Sequence, residues 1–457
     1  MSIQNQEIGF DPDALRLKYK AERDKRVRAD GNDQYQEVEG DFAYFVDDPY
    51  IDKTLQRGPV EDEIEVAIIG GGFGGMLAAA RLREAGIDDF RVIEKGGDFG
   101  GTWYWNRYPG ASCDIESYVY FPLLEKTQFA PQQKYTNAAE TLNYCRVIAK
   151  MYDLHANALM QTKVTCTEWD EESGRWLVKT DRGDAIKARF VVHSNGPLNR
   201  PKLPAISGIT SFKGHTFHTS RWDYGYTGGN SDGGLDKLKN KRVAVIGTGA
   251  TAVQCVPHLA ASAAELYVFQ RTPSSIDLRN NQPTDPDWLG SQKPGWHEAR
   301  RRNFESLMAG VPVKQDLVND GWTEAFRLLF GTVRDKAPSK LRIAFWALLA
   351  VGSRDFYRKG AKKYLTEKAM QHMQFDREME LADFRKMELI RARVDQLVDD
   401  TDTAEALKPY YRQFCKRPCF HDEYLQTFNR PNVTLVDTGG RGVNEINAKG
   451  IVLDGKT

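Results

Sequence analysis

Two glycine-rich loops carry the residue spacing needed to hold a dinucleotide. The first is Gly70-Gly71-Gly72-Phe73-Gly74-Gly75, in which Gly70, Gly72 and Gly75 take the places of a G-x-G-x-x-G run. Glycine there permits a tight turn, lets the backbone approach a pyrophosphate, and lets the following helix pack on the preceding strand. Free N–H groups at the start of that helix then hold the phosphates. Glu94, at the end of the next apolar strand, puts a carboxylate where ribose hydroxyls can donate to it.

The second loop is Gly247-Thr248-Gly249-Ala250-Thr251-Ala252, the G-x-G-x-x-A variant. At the corresponding strand end stands Arg271 instead of an acid, followed by Thr272. A carboxylate would repel a 2′-phosphate, whereas a guanidinium binds it with two parallel donors and a hydroxyl adds a third. This argues for NADP over NAD; the competing reading of Arg271 is a solvated surface arginine. Two dinucleotide sites in one chain imply hydride transfer between two redox cofactors, and FAD with NADPH is the natural pair.

The elements that must position these loops follow from the pattern. Ile64–Ile69 reads as a buried strand, Met76–Glu84 as a helix and Phe90–Ile93 as a second strand, which together make a βαβ unit. Lys241–Ile246, Thr251–Ala261 and Glu265–Phe269 repeat it. Arg189–His193 reads as a further strand, and Gly196–Pro204, with three prolines, as a hinge. Residues 300–400 are helical in pattern and heavily charged, and 424–438 return to strand character. The fold expected is α/β, with two Rossmann-like dinucleotide-binding domains and a helical insertion. Its parts are an N-terminal extension over 1–60, the first part of an FAD domain over 61–205, an NADP domain over 206–430 with its insertion at about 300–400, and a return to the FAD domain over 431–457. Asp11, with Pro12 behind it, is expected to cap a helix running to Arg28.

Composition narrows the class. Lys plus Arg equals Asp plus Glu at 63 each, so no charge excess points to nucleic acid. The N-terminus lacks the apolar core of a signal peptide, and the longest apolar run, Ile343–Val351, is too short to span a bilayer and reads as a buried helix. The six cysteines include no C-x-x-C pair, which disfavours a disulfide reductase and fits reduced thiols in a cytoplasmic protein. Cys415 and Cys419 lack companions at metal-ligand spacing, so no metal is expected. Nothing in the sequence fixes an oligomeric state.

Two longer motifs add to the loops. Between them runs Phe212-Lys213-Gly214 through His218 to Trp222-Asp223, which fits F-x-G-x-x-x-H-x-x-x-W-[P/D]. Gly100-Gly101-Thr102-Trp103 through Tyr108-Pro109-Gly110 to Asp114 fits [A/G]-G-x-W-x-x-x-x-[F/Y]-P-[G/M]-x-x-x-D. With these, residues 64–457 resemble the Baeyer–Villiger monooxygenases, type I flavoproteins. The first 60 residues resemble the N-terminal extensions of members that act on large cyclic ketones or steroids.

The resemblance implies that NADPH reduces FAD, that O₂ then gives a C4a-peroxyflavin, and that a ketone becomes an ester or lactone. It makes Arg417, in Lys416-Arg417-Pro418, the active-site arginine, Asp114 the carboxylate that orients it, and Lys416 a second contact for the 2′-phosphate. It gives His218 a structural role near the domain linker. Without it, Lys416 and Arg417 read as a solvated pair and Asp114 as a helix cap before Ile115. The aromatic group Trp103, Tyr104, Trp105, Tyr108, Tyr118, Tyr120 and Phe121 reads mainly as core, with one or two members able to shelve the flavin. The resemblance also leads us to expect an A-T-G strand that this chain does not contain, so the C-terminal part of the FAD domain is expected to be missing. Trp222-Asp223 argues against the alternative of an amine- or sulfide-hydroxylating flavin monooxygenase. A non-catalytic flavin-binding fragment is the alternative from another class.

Overall fold

The computed structural model describes residues 9–198, 200–330 and 362–453. At its centre is a six-stranded sheet in the order Ala158–Leu159, Phe90–Ile93, Glu61–Ile69, Ala185–His193, Arg175–Thr180, Val164–Asp170. The first four strands are parallel; Arg175–Thr180 runs antiparallel to both of its neighbours, Ala185–His193 and Val164–Asp170. Glu61–Ile69 can occupy the middle because Ile64, Val66, Ala67 and Ile68 are buried, as a strand covered on both faces requires. It pairs Ile68 with Val92 on one side and Ile69 with His193 on the other. The helix Phe73–Glu84 lies on this sheet through Met76, Ala79 and Ala80.

A second, three-stranded parallel sheet has the order Val433–Asp437, Glu265–Gln270, Arg242–Ile246. Its helix, Ala250–Ser262, buries Val253, Cys255, Val256, Leu259 and Ala260. Val433–Asp437 corrects one expectation. The sequence pattern puts residues 431–457 in the first domain, but Leu435 sits beside Val268 in the second sheet. Strand character is also confined to Val433–Asp437; Gln426–Asn429 is a 3-10 turn. Gly450–Val452 runs antiparallel to Glu445–Asn447 as the second arm of a hairpin.

The N-terminal helix covers Pro12–Asp24, ending one turn before Arg28. The Asp11 side chain accepts from the Asp13 and Ala14 amides, satisfying N–H groups the helix leaves open. The helix docks on the long helix Lys362–Leu397: Tyr19 meets Phe384 edge-to-face at 5.2 Å and accepts from Arg391 at 3.1 Å. Helices Trp296–Met308 and Gly321–Phe330 also fall in the region read as helical. Ile343–Val351 lies outside the described residues. No helix among the described residues is long and apolar enough to cross a membrane.

Candidate active site

The first glycine loop turns from Ile69 into the helix at Phe73. Gly70 has φ +104°, and a Cβ on Gly75 would run into the Gly70 carbonyl oxygen, so the strand-to-helix turn requires both glycines. The helix start has no side-chain cap, which leaves its N–H groups open to a diphosphate. Glu94 is buried, and its two oxygens accept from the Gly71 amide at 2.5 Å and the Gly96 amide at 2.6 Å. Burial raises its pKa, against these two bonds. The carboxylate thus fixes the loop and keeps further lone pairs for ribose hydroxyls. An uncapped helix start, a glycine turn and this acid together fit FAD.

The Gly100–Asp114 motif folds over that loop. The Gly100 amide donates to the Gly71 carbonyl at 3.0 Å, and Gly101 precedes a short helical turn over Thr102–Trp105. Trp103 donates to the Tyr120 hydroxyl at 3.0 Å, and Tyr120 meets Phe73 at 5.6 Å. Phe121 stacks on Tyr144 at 4.6 Å. These aromatic rings pack the core beside the loop.

The motif ends at Asp114, whose side chain is 4% exposed and is held between two guanidinium groups. Oδ2 lies 2.9 Å from Nη2 of Arg417, and Oδ1 lies 2.5 Å from Nη2 of Arg279. Asp114 therefore caps no helix. Arg279 is buried, also donates to Ser112, and comes from the loop after the short strand Ile276–Asp277. That strand pairs in parallel with Cys419–Phe420, the segment just after Arg417. One small pairing thus brings both arginines to one carboxylate. Arg279 belongs to no motif in the sequence, and nothing local marks it.

Gln254, on the helix after the second glycine loop, joins the two halves. Its amide donates to the Ser112 carbonyl at 3.0 Å, and its oxygen accepts from Tyr108 at 2.7 Å. Gly110 makes this approach possible. Its φ is +77°, and a Cβ would come within 2.5 Å of the Gln254 carbonyl oxygen.

At the second loop, Gly247 has φ +110°, and Gly249 starts a helix without a side-chain cap. The Thr248 hydroxyl donates to the Thr272 carbonyl at 2.8 Å, tying the loop to the next strand end. Lys416 Nζ lies 3.3 Å from the same carbonyl. Burial, and then the charges of Arg271 and Arg26, lower the Lys416 pKa to about 8. Arg271 donates to Gln34 at 2.6 Å. A cluster of three cations beside a glycine loop is a chemical fit for NADP's 2′-phosphate.

The Phe212–Asp223 motif lies elsewhere. His218 accepts from the Ser220 amide at 3.2 Å and caps the turn Thr219–Arg221; burial holds its pKa down at about 4, so the ring is neutral. Trp222 is buried and donates to Thr227, and Asp223 accepts from the Tyr226 amide. Gly214 leaves room for the Phe212 ring. Arg221 stacks over Trp105 at 3.9 Å and donates to the Asp47 carbonyl at 3.1 Å, joining motif, first domain and N-terminal segment.

Two dinucleotide-binding folds, each with an open glycine turn, and a paired arginine presented between them define a flavoprotein monooxygenase of the two-cofactor kind. The comparisons agree. Residues 67–287 match a family model described as pyridine nucleotide-disulphide oxidoreductase. All six cysteines are free, so the match reflects dinucleotide binding and no redox disulfide. Neopentalenolactone D synthase of Streptomyces avermitilis is 54% identical over 98% of this chain and 70% of its own length. A Baeyer-Villiger monooxygenase of Stachybotrys chlorohalonatus is 49% identical over 99% of this chain and 68% of its own. The solved polycyclic ketone monooxygenase of Thermothelomyces thermophila superposes with TM-score 0.82 at 39% identity, covering 97% of this chain and 70% of that one. The chain belongs to the Baeyer–Villiger monooxygenases, FAD- and NADPH-dependent enzymes that convert ketones to esters or lactones.

Proposed function

We propose that this enzyme oxygenates a bulky polycyclic ketone to a lactone, with Arg417 as the group that stabilises negative charge at the reacting centre. FAD, when bound, supplies the activated oxygen, and NADPH supplies the hydride. The observation that carries the assignment is the asymmetric ion pair. Asp114 is 4% exposed while Arg417 is 58% exposed, so one end of the guanidinium is anchored and the other is free to donate. A prepositioned cation of this kind stabilises an oxyanion without reorganising at the moment of reaction. Arg279, on the other carboxylate oxygen, holds Asp114 in place. Gly70–Gly75 and Glu94 hold FAD; Thr248, Arg271, Thr272 and Lys416 hold the 2′-phosphate end of NADPH. His218, Trp222 and Asp223 brace the linker. The lactone-synthase relatives and the polycyclic ketone monooxygenase support the substrate class. The free cysteines support a reducing, cytoplasmic setting.

The test is incubation of the FAD-loaded protein with NADPH, O₂ and matched panels of polycyclic ketones, small cyclic ketones, amines and sulfides. The expected product is a polycyclic lactone one oxygen atom heavier than its ketone. Turnover confined to amines or sulfides would overturn the reaction assignment, and preference for small cyclic ketones the substrate class.

A further inference from the structure

The N-terminal segment reaches the second dinucleotide site, far from where its sequence would place it. Arg26 Nε donates to the Arg271 carbonyl at 3.1 Å, and Arg271 Nη1 donates to the Gln34 side-chain oxygen at 2.6 Å. Arg26 also lies close enough to Lys416 for its charge to disfavour the ammonium there. The segment is seated on the loop after Val433–Asp437: the missing Cβ of Gly440 would meet the Lys25 carbonyl oxygen and Arg26 Cγ at 2.9 Å, and Arg28 donates to the Arg441 carbonyl at 3.1 Å. Further back, Arg16 pairs with Glu380 at 2.7 Å, so the segment is fixed by contacts of its own.

We propose that Arg26 and Gln34 form the outer wall of the 2′-phosphate subsite, so that the N-terminal segment shares in selecting NADPH over NADH. This rests on the reading of Arg271 and Lys416 as phosphate ligands. Arg26 Nη1 also donates to the Glu22 backbone carbonyl at 2.7 Å, and of its partners the Glu22 carboxylate is the one a phosphate would replace. Arg26 now pairs with that carboxylate at 2.6 Å, and Glu22 also holds Lys25 at 2.7 Å and Lys18 at 3.5 Å. Glu22 therefore stays neutralised when Arg26 turns to a phosphate. The nearby Asp30 is neutralised by Arg28. Gln34 aims Arg271 with a neutral oxygen, where a carboxylate would compete with the phosphate for the guanidinium.

The experiment titrates 2′,5′-ADP and 5′-AMP into the FAD-loaded protein and its variants by calorimetry. Arg26→Ala and Gln34→Glu are each expected to weaken 2′,5′-ADP about tenfold while leaving 5′-AMP unchanged, the size of one charge-assisted hydrogen bond. Glu22→Gln, which removes the carboxylate competing for Arg26, is expected to tighten 2′,5′-ADP. Arg271→Ala run alongside separates the two readings. If it loses the 2′-phosphate preference while Arg26→Ala and Gln34→Glu keep theirs, the segment takes no part. If all three keep the preference, the subsite itself is misplaced. Equal weakening of both ligands by Arg26→Ala would mean the segment only braces the fold, and would also overturn the proposal.

Discussion

Arg417 and Asp114 are joined by a 2.9 Å ion pair whose partners are 303 residues apart, one largely exposed and the other almost wholly buried. The pair sets the direction of the guanidinium through a residue that solvent hardly reaches. Replacing Arg417 should therefore remove charge stabilisation without unfolding the protein. Arg417→Ala is expected to bind FAD and lower kcat for lactone formation roughly a hundred- to a thousandfold, or about 3–4 kcal/mol. Lactone formation at a near-native rate would rule out the role.

Arg279 answers differently, because it is buried against the same carboxylate. Arg279→Ala leaves Asp114 with a bare oxygen in a dry site and is expected to cost about 3–5 kcal/mol of stability. A thermal melt of the FAD-loaded variant reads this directly. An unchanged midpoint would show that water or Gln254, now 3.4 Å from that oxygen, takes over.

Lys416 gives a pH signature. Its pKa is lowered to about 8, mainly by burial, so its ammonium is present below that pH and lost above it. A 2′-phosphate prefers the charged form. NADPH affinity is therefore expected to fall as pH rises from about 8, while NADH affinity stays flat. Lys416→Arg should remove the slope. Parallel slopes for the two nucleotides would exclude Lys416 from phosphate binding.

Gly110→Ala tests the contact between the two halves. The new methyl would meet the Gln254 carbonyl at 2.5 Å from a left-handed backbone, an overpacking expected to cost about 1–3 kcal/mol. Gly174→Ala is the control, since its φ is similarly positive at +61° but no atom lies within 4 Å of the added carbon. Equal melting shifts for the two would assign the cost to backbone alone.

Both glycine turns and their βαβ units could be read from sequence because local pattern suffices. Phe90–Ile93 is a strand at its expected bounds, and the helix after Gly72 begins only a few residues early. What escaped depends on distant pairing. Val433–Asp437 has the apolar character of a strand in either domain, and only its register beside Glu265–Gln270 assigns it to the second sheet. Arg279 looks like any loop arginine until the fold brings Asp114 to it. Arg26 lies just past the charged helix Pro12–Asp24, and its reach to Arg271 comes from the docking of that helix on Phe384 and Arg391.

The double hydrogen bond of Gln254 has a consequence for building chimeras. Exchanging nucleotide-binding halves between relatives would naturally splice the chain between the two glycine loops, and any splice made between Ser112 and Gly247 takes Gln254 from one parent and Tyr108 and Ser112 from the other. The carboxamide has both its ends committed across that seam. A chimera should keep positions 108, 110 and 254 from a single parent, because a mismatch at 108 or 254 leaves a buried polar group without its partner and a side chain at 110 meets the Gln254 carbonyl.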